Sequence, residues 1–468
     1  AEATVSPATL TFTPANYNTT QQVTVTGVND SDIDGHEAYN ISLSAEVDTD
    51  DPEVTTFAGD GTFGSTNATG TAASFRYPYA ISAVGTNLYV VDRENHRIRK
   101  IVLSTGVVTT LAGSSSGFAD ATGISARFKR PRGITTDGTN LYVVDTDNHL
   151  IRKIVISTGA VTTLAGDAGS SGSTDGTGIS ARFKKPKGIT TDGTNLYVSD
   201  TDNHLIRKIV ISTGEVSTLA GSSIGFLDHT TGTSAKFKYP REITIDGTNL
   251  YVVDRDNHRI RKIVLSTGVV TTFAGTSPGF ADATGTAAKF KYPMGITNDG
   301  TNLYVVDSNN QRIRKIVIST GVVTTIAGSS SQGSTDGKGT AAKFYYPYGI
   351  AIDGTNLYVA DYYNYVIRKI ALRETETAAV ALLNLDDDDD TEVRVAVSSS
   401  DTGEATVTPA TLTFTEANWD TPQTVTVTGV DDNNSDGHQD YDISLSALVV
   451  PSKALDFDGT NDYVVVPH

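Results

Sequence analysis

The chain has no cysteine, one tryptophan and one methionine in 468 residues. Without cysteine there are no disulfide staples and no thiolate metal sites. No apolar run approaches the ~20 residues of a membrane span. No window has the 3.6-residue apolar period of a long helix. The sequence also lacks an H-E-x-x-H helix and a phosphate-cradling glycine loop with its lysine. Basic residues are scarce at the two ends. Residues 53–373 hold 34 of the 36 Lys and Arg but 25 of the 54 Asp and Glu, a net of +9 against −27 in the flanks. Such an asymmetry bears on partners rather than on fold.

What fills the middle is one segment repeated six times. A Leu-Tyr-Val run ends on Asp92, Asp145, Asp200, Asp254, Asp307 and Asp361, at spacings of 53, 55, 54, 53 and 54 residues. A fixed period of this size signals a repeat array. Each copy holds four short stretches of alternating apolar and polar residues, separated by Gly, Asn, Asp and Ser, which is the pattern of a four-stranded blade. In the second copy these are GITTD from Gly133, LYVVD to Asp145, LIRKIVI from Leu150 and AVTTLAG to Gly166. The sixth copy stops after Ile370, and its missing fourth stretch stands at the other end, as Val54 to Gly59. The expected fold is therefore all-β: a six-bladed β-propeller closed by an N-terminal strand completing the last blade, with small β-sandwich modules at both ends. Closure of this kind leaves no open sheet edge between the first and last blades.

Four copies carry Asn-His three and four residues after the aspartate: Asn95-His96, Asn148-His149, Asn203-His204 and Asn257-His258. The fifth and sixth depart from this with Asn310-Gln311 and Asn364-Tyr365. The repeat resembles the NHL-repeat family over about residues 53–372, and the resemblance implies a propeller. It says little about activity, because one fold hosts many. Lyases and lactonase-type hydrolases of similar fold keep metal ligands near the axis, whereas these histidines recur blade by blade and so read as structural. His229, beside Asp228, is the one histidine in the ring outside the repeat, and Glu242 stands where most copies have Gly. Neither has the partners of a catalytic site. The expectation is that the chain is not an enzyme.

The flanks are related to each other. ATVSPATLTFTPANYNTTQQVTVTGV near the start matches ATVTPATLTFTEANWDTPQTVTVTGV near the end, and the second copy is preceded by AAVALLNL and TEVRVAVSSS, which the first lacks. They resemble the Calx-β-like modules of large bacterial surface proteins. ALDFDGTNDYVVVP, from Ala454, resembles the opening of a laminin-G-like or concanavalin-like jelly roll. The expected domains are a truncated module at 1–52, the propeller at 53–373, a second module at 374–449 and the start of a lectin-like domain at 450–468. In both modules a loop matches D-x-[DN]-x-[DN]-G, with Asp30, Asp32 and Asp34 in one and Asp432, Asn434 and Asp436 in the other. Alternating oxygen ligands before a glycine suit Ca2+. The twelfth position is Ile41 or Ile443, so these are not EF-hands.

Each blade begins with F-x-x-P-x: FRYPY, FKRPR, FKKPK, FKYPR, FKYPM and FYYPY. The variable positions supply Lys129, Arg130, Arg132, Lys184, Lys185, Lys187, Lys238 and Arg241 from blades two to four. Tyr292, Met294, Tyr345, Tyr346, Tyr348, Tyr77 and Tyr79 come from blades five, six and one. First strands are innermost in propellers, so these segments should ring one mouth of the central channel. Cations beside aromatic rings suit an anionic polymer. The acidic flanks with their candidate calcium loops favour an acidic polysaccharide or a protein partner over nucleic acid. The function expected is a non-catalytic extracellular recognition or adhesion module of a bacterial surface protein. The alternatives are a structural spacer of a surface filament or sheath, with self-assembly through the flank modules, and an NHL-like lyase or hydrolase.

Overall fold

The structure, a computed structural model, describes residues 52–372 continuously and, in the flanks, the backbone of nine further strands. The chain forms two compact units, one of Asp50–Arg373 and one of Ala1–Thr49 with Glu374–His468.

The first unit is a ring of six antiparallel blades. Blade one runs Pro78–Val84, Asn87–Asp92, Arg97–Val102 and Val108–Ala112. Blades two to five repeat this order, from Ile134–Thr136, Ile189–Thr191, Pro240–Ile245 and Ile296–Asn298. In the sixth sheet Pro347–Ile352, Asn356–Asp361 and Val366–Ala371 are followed by Glu53–Ala58, with Val54 opposite Ile370 and Ala58 opposite Ile367.

The Leu-Tyr-Val strands are not half-buried as alternation would suggest. From Leu to Asp every residue is buried, in all six copies. Blades stack face to face, so an inner strand has a neighbour on both sides and both faces must be apolar. The core accordingly lies between blades: Val144 and Ile151 of blade two pack with Phe183, Ile189 and Val198 of blade three. Outer strands are more open, with burial falling to the two ends of VTTLA.

Each strand pair closes on a buried ion pair. The aspartate of LYVxD accepts a bond from the arginine of IRK, as in Asp92 and Arg99 at 2.8 Å or Asp254 and Arg261 at 2.8 Å, with both side chains fully buried. The same aspartate also accepts the repeat Asn side chain and the backbone N–H after the F-x-x-P phenylalanine. The guanidinium lies over that phenylalanine, 5.1 Å from the ring centre of Phe75 in blade one.

In the second unit the related flanks share sheets. Gln21–Gly27 pairs with Gln423–Gly429, and Ala38–Leu43 with Ala378–Leu383. The latter is a strand for which the first flank has no sequence of its own.

Candidate ligand-binding site at the channel mouth

The three variable positions of F-x-x-P-x have three separate environments. The first points into solvent: Lys129 and Lys184 are exposed and Lys238 half-buried. Arg76 and Lys291 occupy it in blades one and five, both exposed, so this outer tier is basic in every blade but the sixth. The division into a basic and a tyrosine side applies only to the deeper tiers.

The second position, just before proline, is left-handed in all six blades, with φ from 45° at Lys185 to 56° at Tyr77. A non-glycine residue there is strained by about 1 kcal/mol or more. A clasp from the preceding blade holds it. The backbone N–H of Arg130, Lys185, Tyr239 and Tyr292 donates to Nδ1 of His96, His149, His204 and His258 at 3.1 to 3.3 Å. Tyr346 N–H donates instead to Oε1 of Gln311 at 2.6 Å, so glutamine does the histidine's work in the fifth copy. The Asn of each Asn-His turn reaches the loop ahead of its own blade, for example Asn148 Nδ2 to Gly117 O at 2.7 Å. At the last junction Tyr365 packs edge-on against Tyr77, with ring centres 5.1 Å apart.

The third position lines the channel. Tyr79, Lys187, Arg241, Met294 and Tyr348 border one narrow crevice, together with Glu242 and Gly349. Glycine at the next position in four blades reflects crowding: a Cβ on Gly188 would lie 2.2 Å from Arg241 O. Blade four has Glu242 there. Its Oε1 accepts the Ile189 N–H at 3.3 Å, and burial pushes its carboxyl up to about 8. It keeps some exposure because it borders the lumen, deep inside the ring.

Two arginines dominate the throat. Arg241 Nη1 donates to Tyr79 Oη at 3.2 Å, and the Arg132 guanidinium stands 5.4 Å above the Tyr79 ring. Lys187 is buried, and among the described residues its one ion pair is a 3.3 Å bond to Asp202 Oδ1. Burial, then Arg241 and Arg132, lower its ammonium to about 6, against the pull of Asp202. Burial likewise lowers Arg132 and raises the Tyr348 phenol to about 12.

Three throat residues follow the LYVxD aspartate and were not anticipated. Tyr362 stacks on Tyr348 at 4.1 Å, Arg93 Nη1 donates to Tyr362 Oη at 3.1 Å, and Arg255 lies 4.8 Å from the centre of the Tyr292 ring. That position reads Arg, Thr, Thr, Arg, Ser, Tyr around the ring, a variability that could have marked it. Tyr346 joins Tyr345 and Tyr363 in an aromatic patch with Tyr77. Arg130 pairs with Glu94 at 3.1 Å and so is partly neutralised. The calcium candidates Asp30, Asp32, Asp34, Asp432, Asn434 and Asp436 lie outside the described residues. Asp228 holds Arg261 and Thr272, which accounts for it without a ligand.

No family model matches the chain. It is 29% identical over 320 residues to the Arabidopsis thaliana protein SUPPRESSOR OF QUENCHING 1, chloroplastic, covering 64% of this chain and 30% of that protein. It is 27% identical to NHL repeat-containing protein 2 of Gallus gallus, over 62% of this chain and 45% of that protein. The chain thus spans less than half the length of these relatives. Among solved structures, a Bacteroides thetaiotaomicron protein of unknown function aligns with TM-score 0.54 and 22% identity, over 75% of this chain and 94% of its own. An auxiliary nutrient binding protein of the same organism aligns with TM-score 0.53 and 18% identity, over 76% and 94%. The chain therefore has NHL-repeat homologues and folds its own repeat into a six-bladed β-propeller.

Proposed function

We propose that the ring is a non-catalytic recognition module whose channel mouth binds an acidic polysaccharide. The observation that carries this is the pair of arginines at the throat. Arg132 and Arg241 stand on blades two and four, either side of Lys187 on blade three, and the two arginines have no carboxylate within ion-pair distance among the described residues. The exposed Lys129 and Lys184 extend the positive surface outward. Tyr292, Tyr346 and Tyr348 supply ring faces for sugars. A fold neighbour described as a nutrient-binding protein fits a binding role for a ring of this shape.

The setting we propose is an exported bacterial surface protein. The acidic flanks and their Calx-β-like sequence support it, with Ca2+ at the Asp30 and Asp432 loops. In this reading the pairing of Glu53–Ala58 with Val366–Ala371 closes the ring.

The test is binding of the full chain to acidic and neutral polysaccharides at two salt concentrations. A matched variant carries Lys129→Ser, Lys184→Ser and Lys238→Ser. Charge-driven recognition should weaken with salt and weaken again in the variant. Acidic and neutral polymers binding alike, or no polymer binding, would refute it.

A further inference from the structure

Blade six departs from the other five at two coupled positions. The first variable position of F-x-x-P is Lys129, Lys184 and Lys238 in blades two to four. The second residue after the LYVxD aspartate is Asp147, Asp202 and Asp256 in the same blades. One backbone bond joins the two positions, as in Asp147 N–H to Lys129 O at 3.1 Å. Blade six keeps that bond, Tyr363 N–H to Tyr345 O at 3.1 Å, but has rings in place of both charges. A residue needed for packing alone would recur around the ring, and this pair occurs once.

The rings form an open surface. Tyr345, Tyr346 and Tyr363 have centres 5.1 to 5.7 Å apart, which leaves no gap for a group to enter between them. Through Tyr77, 5.7 Å from Tyr363, the surface continues to Phe63. Tyr363 is 37% exposed and Phe63 60%, so a partner can lie flat on it. The face of an aromatic ring is negative. It repels a carboxylate and attracts the weakly positive C–H bonds on the face of an uncharged sugar. Arg76, 5.9 Å from the Phe63 centre, stands only at the far end of this surface.

We propose that the tyrosine surface of blade six holds an uncharged sugar ring of the polymer whose acidic residues lie over the basic tier of blades two to four. The ligand is then a mixed polysaccharide, with acidic and uncharged residues in one chain. This rests on the binding role assigned to the mouth and adds the second kind of residue and its seat.

Titration of the full chain with two polymers tests it: hyaluronan, in which acidic and uncharged sugars alternate, and polygalacturonate, in which every sugar is acidic. One variant carries Tyr345→Lys and Tyr363→Asp, the pair that blades two to four already have, and leaves the net charge unchanged. It should weaken hyaluronan about tenfold, leave polygalacturonate within about twofold, and preserve the salt dependence of both. Tyr345→Phe with Tyr363→Phe keeps the rings and should hold hyaluronan within about threefold of the parent. Melting curves show whether each variant is folded. Should the charged pair not fold, Tyr363→Ser alone should weaken hyaluronan about threefold. Hyaluronan unaffected by a folded variant that lacks the rings, or both polymers weakened alike, would overturn the proposal. If the ring variant has no effect while Lys129→Ser, Lys184→Ser and Lys238→Ser together weaken binding, the tyrosine surface is overturned and the charged mouth stands. The opposite pattern refutes the charged mouth and leaves the tyrosine surface as a sugar seat. Binding of neither polymer overturns both. A proline-rich peptide that binds where the polymers do not, and is lost with the rings, overturns the proposal in favour of a protein partner.

Discussion

Removing one carboxylate charge from blade one should cost more than the equivalent change in blade four. In each blade the LYVxD aspartate neutralises a fully buried arginine, but the arginine's second partner differs. Arg261 also holds Asp228 at 2.5 Å, an aspartate with 39% exposure, whereas Arg99 holds the neutral Asn67 at 2.9 Å. Burial accordingly lowers the Arg99 guanidinium, with Asp92 as its one opposing carboxylate. Burial also raises Asp254 to about 6, which leaves it ionised at pH 7. Asp92→Asn therefore strands a buried charge, for which the expected loss is about 3–5 kcal/mol. In Asp254→Asn the remaining carboxylate near Arg261 recovers part of that. Two unit charges 4 Å apart interact by about 4 kcal/mol at an effective dielectric of 20, and exposure reduces this, so the net loss is about 2–3 kcal/mol. At roughly 2 °C per kcal/mol for a ring of this size, the melting points should fall by about 6–10 °C and 4–6 °C. Urea titration and thermal melts of the two variants measure the difference. Asn67→Asp in the Asp92→Asn background should restore about 1–2 kcal/mol by supplying the missing counter-charge. Equal losses, a larger loss in blade four, or no recovery with Asn67→Asp would refute the reasoning.

The histidine clasps should loosen in acid. Burial lowers His96, His149, His204 and His258, and only the neutral ring can accept the neighbouring N–H. Their stabilisation is complete above the unfolded value of about 6.5 and is lost as pH falls through the lower folded values. Replacing all four by Gln, as copy five has naturally, should flatten the denaturation midpoint between pH 7 and 5. Asp336 accepts from Thr56 N at 3.1 Å and Thr56 Oγ1 at 3.0 Å, so Asp336→Ala should speed amide exchange in 53–58 more than elsewhere. Lys187 carries its charge below about 6, so carboxylate binding should strengthen as pH falls through that value, and Lys187→Met should abolish the dependence.

The ring was legible because it is written six times. Period and strand order follow from residues that recur, and recurrence separates packing from chance. The channel-lining position was visible for the opposite reason, since Arg132, Lys187 and Arg241 vary where Phe and Pro do not. Depth was harder to see. Sequence assigns Lys129 and Lys187 the same character, although one side chain is exposed and the other buried, because they leave the backbone in different directions around a proline. Gln311 looked like a lapse in the repeat and proved an equivalent acceptor, a fact of geometry that residue type conceals. Glu242 stood out as a departure without partners; its neighbours Lys187 and Met294 come from adjoining blades, 55 and 52 residues away along the chain.

In the proposed closure, the strand Glu53–Ala58 also decides how the ring answers to pulling. Val54, where the chain comes in, lies directly across from Ile370, where it leaves. Tension on the two ends would open that antiparallel pair one rung at a time, from Val54 toward Ala58, instead of shearing all its bonds together. Such a zipper yields at low force, and the Asp336 bonds to Thr56 sit midway along it. Once past them, the remaining five blades lose their ring constraint and can peel in turn. Extended between two anchors, the domain would behave as a fuse that lengthens early and spares its neighbours.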